Sequence, residues 1–211
     1  MFTGIIQELG TIINVVEKNG IKKFTVESEK IPTEVKIGDS VSVDGCCLTV
    51  VKKTEKSFEV EAIPETLQRT IAGSYQAGSK VNLELPLQLG GRLDGHLVSG
   101  HVDSMNQVTN IENVGDSKVL TVDFPLTMAK YFAFKGSVTI NGVSLTISKL
   151  NKNSFEVTLI PHSQKVTNVG DLKKGDMVNI EIDLIARYLE NMLKDKEEEA
   201  GYFFLQERGL L

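Results

Sequence analysis

Side chains suited to proton transfer or nucleophilic attack are few in this chain, and most of them lie in two short segments. Three histidines and two cysteines occur among 211 residues. His96 and His101 lie in the segment GHLVSGH, while Cys46 and Cys47 are adjacent. A zinc site is not predicted, because the histidine pair would need further ligands and only His162 remains. An imidazole exchanges protons near neutral pH, so His101 is a candidate acid or base, although a histidine without a chemical role stays open.

The adjacent cysteines indicate different roles for the two faces of one strand. Successive side chains of a strand point to opposite faces, so Cys47 and Thr49 share one face while Cys46 and Leu48 share the other. A disulfide between adjacent cysteines would be strained, so the pair indicates a reducing compartment. We therefore expect a cytoplasmic protein.

An internal repeat places the same polar face twice in the chain. Residues 40–70 (SVSVDGCCLTVVKKTEKSFEVEAIPETLQRT) align without a gap with residues 137–167 (SVTINGVSLTISKLNKNSFEVTLIPHSQKVT) at an offset of 97. Cys47 matches Ser144, and two residues later both copies have a threonine. The matched polar faces predict two similar ligand sites, although serine and threonine in strands need no ligand to explain them.

The repeat also divides the chain into domains. Upstream, the segment TGII of the first copy matches SGHV of the second at an offset of 96, so His101 replaces the apolar Ile5. Between the copies, PLQLGGRLDGH has the glycines and charges of a linker. We expect domains at residues 1–88 and 97–184, followed by a tail at 185–211.

The tail has the pattern of an amphipathic helix. Apolar residues recur at helical spacing, at Ile185, Tyr188, Leu189, Met192 and Leu193, before the charged run KDKEEE. A helix beyond two self-contained domains must bury this stripe against something. Assembly of several subunits is the favoured role, and a lid on the preceding domain is the alternative.

Each copy has the pattern of a small all-β domain. Short segments rich in Val, Ile and Thr alternate in polarity and are separated by turns such as Asp44-Gly45 and Asn141-Gly142. No helix is long enough for a crossover between parallel strands. The sequence therefore predicts two tandem homologous six-stranded antiparallel β-barrels, followed by the amphipathic α-helix.

Composition excludes some classes of function. The formal net charge is −5, which gives no basic footprint for nucleic acid, and no apolar run is long enough to span a membrane. Hydrophobic residues at 41% suffice for a globular core.

The motifs MFTGI, GCCLTV, IPETLQRT, GRLDGHLVSGHVD, NGVSLT and LIPHS resemble, in this order, the riboflavin synthase family over residues 1 to about 190. The resemblance implies a transferase that dismutates two molecules of 6,7-dimethyl-8-ribityllumazine into riboflavin and 5-amino-6-(D-ribitylamino)uracil, without a cofactor or metal. It implies a homotrimer in which the barrels of different subunits face each other, and it leaves association with lumazine synthase open. A non-catalytic lumazine-binding protein of the fluorescent antenna type is the alternative.

The resemblance also implies roles for individual residues. His101 with Ser144 and Thr146 would assist proton removal from the C7 methyl group of one lumazine. Ser40, Cys47, water or a ribityl hydroxyl would add at C7 of the other, and Asp183 resembles a catalytic acid of the family.

The same resemblance assigns the walls of two binding pockets. The expected first pocket comprises Gly4, Ile5, Ile6, Cys47, Leu48, Thr49, Glu65, Thr66, Leu67, Gln68, Arg69 and Thr70. The expected second pocket comprises Gly100, His101, Val102, Lys135, Ser144, Leu145, Thr146, His162, Ser163, Gln164, Lys165, Val166 and Thr167. Phe2 is expected to stack on a ligand ring. Ser163 departs from the threonine of many members, and Arg-Leu-Asp in GRLDGH is unusual, which puts affinity in doubt more than activity.

Overall fold

The first copy of the repeat forms a closed barrel of six antiparallel strands in the computed structural model, which describes residues 1–193. The strands are β1 (Glu8–Lys18), β2 (Ile21–Glu27), β3 (Ser40–Val43), β4 (Cys46–Lys53), β5 (Ser57–Ala62) and β6 (Lys80–Glu84). Two short helices, α1 (Ile31–Glu34) and α2 (Pro64–Arg69), and a 3₁₀ turn at Ile71–Ser74 connect them.

The second copy forms the same barrel. Its strands are β7 (Ser104–Val114), β8 (Ser117–Asp123), β9 (Ser137–Ile140), β10 (Val143–Leu150), β11 (Ser154–Leu159) and β12 (Met177–Ile182). Helix α3 (Pro161–Val166) and 3₁₀ turns at Leu126–Tyr131 and Asn168–Asp171 complete it. The neighbour order β1-β2-β5-β4-β3-β6 is repeated as β7-β8-β11-β10-β9-β12, so the predicted pair of six-stranded barrels is confirmed.

Strand alternation separates the barrel cores from the exposed face of β4 and β10. These two strands share one burial pattern, in which alternate residues point into the barrel. Cys46 and Leu48 lie in the first core, whereas Cys47 is half-buried and Thr49 is exposed. The period-two prediction for this segment is confirmed.

The two segments that follow β5 and β11 are short helices. Pro64 and Pro161 occupy the first helical turn, where a missing N–H costs nothing because that donor has no partner within the helix. Proline therefore both ends the preceding strand and begins a short helix.

Residues 184–193 form a further helix, α4, which begins directly after β12. The Oδ1 atom of Asp183 accepts the backbone N–H of Ile185 at 2.9 Å and so caps the helix. Arg187 donates to the carboxylate of Asp103 at 2.7 Å, which holds one side of α4 on the second barrel.

The predicted apolar stripe of α4 is exposed. Ile185, Tyr188, Leu189, Met192 and Leu193 are each more than half exposed. The stripe therefore does not act as a lid on its own barrel. Residues 194–211, the rest of the predicted tail, lie outside the described part of the chain. Within residues 1–193 no helix is both long and apolar enough to cross a membrane.

Candidate functional site

The two barrels dock through a reciprocal exchange of asparagine hydrogen bonds. Asn82 of the first barrel donates to the carbonyl of Asn141 at 2.9 Å and accepts the N–H of Asn168 at 2.8 Å. Asn179 of the second barrel donates to the carbonyl of Asp44 and accepts the N–H of Ile71, both at 2.8 Å. The contact therefore has approximate two-fold symmetry that follows the repeat.

Two hairpin turns touch backbone to backbone at the centre of this contact. Gly45 and Gly142 both have positive φ, at 80° and 76°. A Cβ atom placed on Gly142 would lie 2.6 Å from the backbone nitrogen of Gly45, and one on Gly45 would lie 2.8 Å from the nitrogen of Gly142. Only glycine allows both the turn and this approach.

A buried carboxylate breaks the symmetry of the docking contact. Asp44 occupies the position that Asn141 has in the second barrel, and it accepts hydrogen bonds from the Tyr75 hydroxyl at 2.7 Å, the Asn82 N–H at 2.7 Å and the Asn168 side chain at 2.8 Å. Burial raises the pKa of Asp44 from 3.8 to about 7 despite these bonds.

Each barrel carries an arm that reaches across to the other barrel. We call residues 1–6 the first arm and residues 96–102 the second arm. The carbonyl of Gly4 accepts the N–H of Ser144 at 2.7 Å, and the carbonyl of Gly100 accepts the N–H of Cys47 at 2.9 Å. The arms also pair with each other through Phe2 and Val98.

The crossed arms regroup the residues predicted for the two pockets. Ile6 packs against the core of the second barrel, and Val102 packs against the core of the first. The grouping of Gly4 to Ile6 with Cys47, and of Gly100 to Val102 with Ser144, is therefore wrong. We define the first site as the Cys47–Thr49 face of β4 with the second arm, and the second site as the Ser144–Thr146 face of β10 with the first arm.

His96, which was considered from the sequence only as a metal ligand, lies at the second site. The Nδ1 atom of His96 is 2.7 Å from the hydroxyl oxygen of Ser144, within hydrogen-bonding distance. Burial lowers the pKa of His96, and the charge of Asp183 opposes that shift. Its Nε2 atom is buried and has no hydrogen-bond partner among the described residues. The expected partner of Ser144, His101, belongs to the other site.

The first site has a thiol where the second has this hydroxyl. Cys47 is half-buried and faces Ser42 across the hairpin, and Ser40 faces Thr49 one step along the same strand pair. His101 follows Gly100 in the second arm, and its side chain is exposed. Thiol, hydroxyl and imidazole groups therefore border the first site.

Several predicted binding residues have structural contacts that limit their roles. Leu48 and Leu145 point into the barrel cores, so only their backbones reach the sites. Thr70 and Thr167 are buried, and their hydroxyls donate to the carbonyls of the fourth residue before them at 2.7 Å. Phe2 is completely buried against the second arm instead of presenting a ring face for stacking.

The remaining residues of α2 and α3 supply exposed or half-buried groups beside the sites. Thr66 and Ser163 occupy equivalent positions in the two helices and are half-buried. Within α2, Glu65 and Arg69 form an ion pair at 3.4 Å. Gln164 donates to two backbone carbonyls, at 2.9 and 3.0 Å. Six more predicted residues in these segments and nearby are partly or fully exposed: Leu67, Gln68, His162, Lys165, Val166 and Lys135.

The backbone at Lys135 is unusual. Its φ is 66°, in the left-handed region, and its N–H donates to the carbonyl of Ile147 on β10. This hydrogen bond places the backbone of Lys135 beside Ile147, the residue that follows Thr146 on β10. Across the described residues, no cluster of three or more His, Cys, Asp or Glu side chains has the arrangement of a metal site.

Known proteins of two kinds are similar to this chain. Residues 3–86 and 99–183 each match the lumazine binding domain family. Riboflavin synthase from Photobacterium phosphoreum is 39% identical over 217 residues, with all of both chains covered. Riboflavin synthase from Brucella abortus (strain 2308) is 44% identical over 193 residues, which cover 89% of this chain and 96% of that relative. The crystal structure of LumP complexed with 6,7-dimethyl-8-(1'-D-ribityl) lumazine has a TM-score of 0.78 and 25% identity, over 86% of this chain and 99% of LumP.

Proposed function

The chain belongs to the riboflavin synthase family, and on this basis we propose that it converts two molecules of 6,7-dimethyl-8-ribityllumazine into riboflavin and 5-amino-6-(D-ribitylamino)uracil. The observation that carries the proposal is the presence of two equivalent sites, on β4 and β10, within one chain. A reaction that joins two identical molecules needs two similar places to hold them. Fixing both molecules in reactive geometry can remove a large part of the barrier.

We propose that the second site removes the proton. The Ser144 hydroxyl takes a proton from the C7 methyl group of the lumazine and passes its own proton to Nδ1 of His96. The electron pair of the broken C–H bond stays on the methyl carbon as a carbanion. Because burial lowers the pKa of His96, the imidazole is neutral and able to accept a proton at neutral pH. Asp183 stabilises the imidazolium once it has formed.

The first site prepares the acceptor molecule. Cys47 or Ser40 adds to C7 of the second lumazine and makes it electrophilic toward the carbanion, with His101 beside them to supply or accept the proton. Thr49 and Thr146 occupy matched positions at the edges of the two sites, where they donate hydrogen bonds to the rings. Thr66 and Ser163 bind the ribityl chains.

Assembly as a homotrimer completes this proposal. The exposed stripe of α4 is the proposed trimer contact, and it brings the first site of one subunit to face the second site of another. The proposed domain bounds are 1–88 and 97–184, with the trimerisation segment at 185–211. The free cysteines support a reducing compartment, the cytoplasm. Association with lumazine synthase is a further part of the proposal.

A non-catalytic lumazine carrier is the second candidate, because LumP shares the double barrel. Identity favours the enzyme, since the two riboflavin synthases are 39% and 44% identical to this chain whereas LumP is 25% identical. The Ser144, His96 and Asp183 arrangement also favours it, because a carrier needs no base.

The deciding experiment mixes the purified protein with 6,7-dimethyl-8-ribityllumazine, with no cofactor added, and follows riboflavin by its absorbance and fluorescence. Many turnovers per subunit support the synthase. The matched variant Ser144→Ala should still bind the lumazine while its turnover falls. Binding of the lumazine without any riboflavin would assign the protein to the carriers.

A further inference from the structure

Two buried glutamates have equivalent positions near the ends of the last strands of the two barrels. Glu84 on β6 and Glu181 on β12 are separated by the repeat offset of 97, and each is only 2% exposed. Neither faces ligand in the proposed function. A buried carboxylate is costly unless hydrogen-bond donors surround it, so its contacts indicate what keeps it there.

Each glutamate holds one arm. Glu181 accepts the N–H of Ser99 at 2.7 Å, the hydroxyl of Ser99 at 2.6 Å and the N–H of Gly100 at 3.0 Å. Glu84 accepts the equivalent three hydrogen bonds from Thr3 and Gly4, at 2.6, 2.7 and 3.0 Å. Each arm is therefore held by a glutamate of the barrel that follows it in the chain. The same arm contacts the opposite barrel through the carbonyl of Gly4 or Gly100.

A continuous chain of hydrogen bonds connects Glu181 to His101. The N–H of His101 donates to the Ser99 hydroxyl at 3.2 Å, and that hydroxyl donates to Glu181. On the other side, the carbonyl of Gly100 accepts the N–H of Cys47. A Cβ atom on Gly100 would lie 2.6 Å from the Cβ atom of Cys47, so the arm has no room to move closer to β4.

An acceptor with two oxygens and no proton is the group that these three donors require. A glutamine would turn an N–H group toward the N–H of Gly100, and one hydrogen bond would become a repulsion between two donors. Shortening the side chain to aspartate would withdraw both oxygens from the arm.

We propose that Glu181 is a positioning residue that fixes His101 beside Cys47 at the first site, from the opposite barrel. This inference rests on the proposed function for the role of His101. Glu84 is the matched residue of the other arm, where it holds Thr3, whose carbonyl accepts the N–H of His96 at 3.1 Å. The two equivalent clamps therefore serve different sites, Glu181 the first site and Glu84 the second.

Ser99→Ala provides the test, because it cuts the link from Glu181 to His101 while it leaves the carboxylate and both backbone contacts in place. Small displacements of a reacting group can cost about 100-fold in rate, and we expect kcat to fall by between about 10-fold and 100-fold with KM nearly unchanged. In a His101→Gln background, Ser99→Ala should cause no further loss. Thr3→Ala, the matched change in the first arm, should give the same fractional loss in both backgrounds.

Equal losses from Ser99→Ala with and without His101 would overturn the proposal, as would an effect confined to KM. Thermal unfolding of each variant separates these outcomes from misfolding. Glu59→Gln, which alters a surface ion pair on the first barrel, is the control for effects of substitution that do not involve the arms.

A second measurement does not depend on turnover. The NMR signal of the His101 ring should shift in Ser99→Ala and stay in place in Thr3→Ala. A wild-type protein without riboflavin synthesis would refute the proposed function, whereas an unmoved His101 signal in Ser99→Ala would refute the positioning role.

Discussion

Replacement of Gly142 by alanine should loosen the docking of the two barrels far more than the same change at a similar turn elsewhere. The new Cβ atom would lie 2.6 Å from the nitrogen and 3.0 Å from the Cα atom of Gly45. Both are backbone atoms of a tight turn, so relief requires the barrels to separate. Separation would stretch the hydrogen bonds from Asn82 to Asn141 and from Asn179 to Asp44.

The free-energy change has two parts that a matched variant can separate. Left-handed backbone costs a residue with a Cβ atom about 1–2 kcal/mol, and overpacking adds about 1–3 kcal/mol. Gly20 follows an asparagine in a turn like that of Gly142 and has φ of 78° against 76°. Its Cβ atom would meet only Pro64, at 3.5 Å. Gly20→Ala therefore includes the first cost without the second.

Urea unfolding followed by circular dichroism measures both variants against the wild-type protein. We expect Gly142→Ala to lower the free energy of unfolding by about 1–3 kcal/mol more than Gly20→Ala does. Gly45→Ala should behave like Gly142→Ala, because the two turns contact each other. Equal losses of unfolding free energy in Gly142→Ala and Gly20→Ala would refute the conclusion that the turns at Gly45 and Gly142 are too tightly packed to accept a Cβ atom.

Three further predictions concern charge and assembly. Asp44 has a pKa of about 7 when folded against 3.8 ordinarily, so the folded state holds the extra proton between these values and stability falls as pH rises through them. Asp44→Asn, which copies Asn141, should remove this fall in urea titrations at several pH values. The pKa of His96 lies below its ordinary 6.5, so the midpoint of the acid-side fall in wild-type kcat should lie below pH 6.5. Leu189→Asp with Met192→Asp should give monomers with little turnover, measured by light scattering and the riboflavin assay.

Each of these predictions has an outcome that contradicts it. Parallel pH profiles of stability in wild type and Asp44→Asn would mean that Asp44 does not titrate in this range. An acid-side fall in kcat with its midpoint above pH 6.5 would assign the base to another group than His96. A fully active trimer of the Leu189 and Met192 double variant would show that α4 is not the assembly contact.

The barrels were predictable from the sequence because their signals are local or repeated. Alternation along β4 placed Cys46 inside and Cys47 outside, and the offset of 97 extended that assignment to Ser144. The alternation of β1 is weaker than that of β4, because exposed apolar residues such as Ile13 and Val16 interrupt it.

The exchange of arms was not predictable, because it depends on how two finished barrels dock. Gly4 and Ser144 are distant in sequence, and nothing in either motif records that they touch. Reading each copy as a self-contained pocket therefore gave the wrong grouping. His96 was missed as a partner of Ser144 for a related reason, since the two residues are 48 apart in the sequence and meet only when the second barrel has folded.

The crossed arms mean that neither half of the gene encodes a complete site. A chimera joined at Gly90 with the second half of a distant relative would combine an arm from one parent with a strand from the other at both sites. Exchanging the first arm together with β10, or the second arm together with β4, keeps each site wholly parental. The unit that recombination can transfer intact is therefore discontinuous in sequence, although each barrel is continuous.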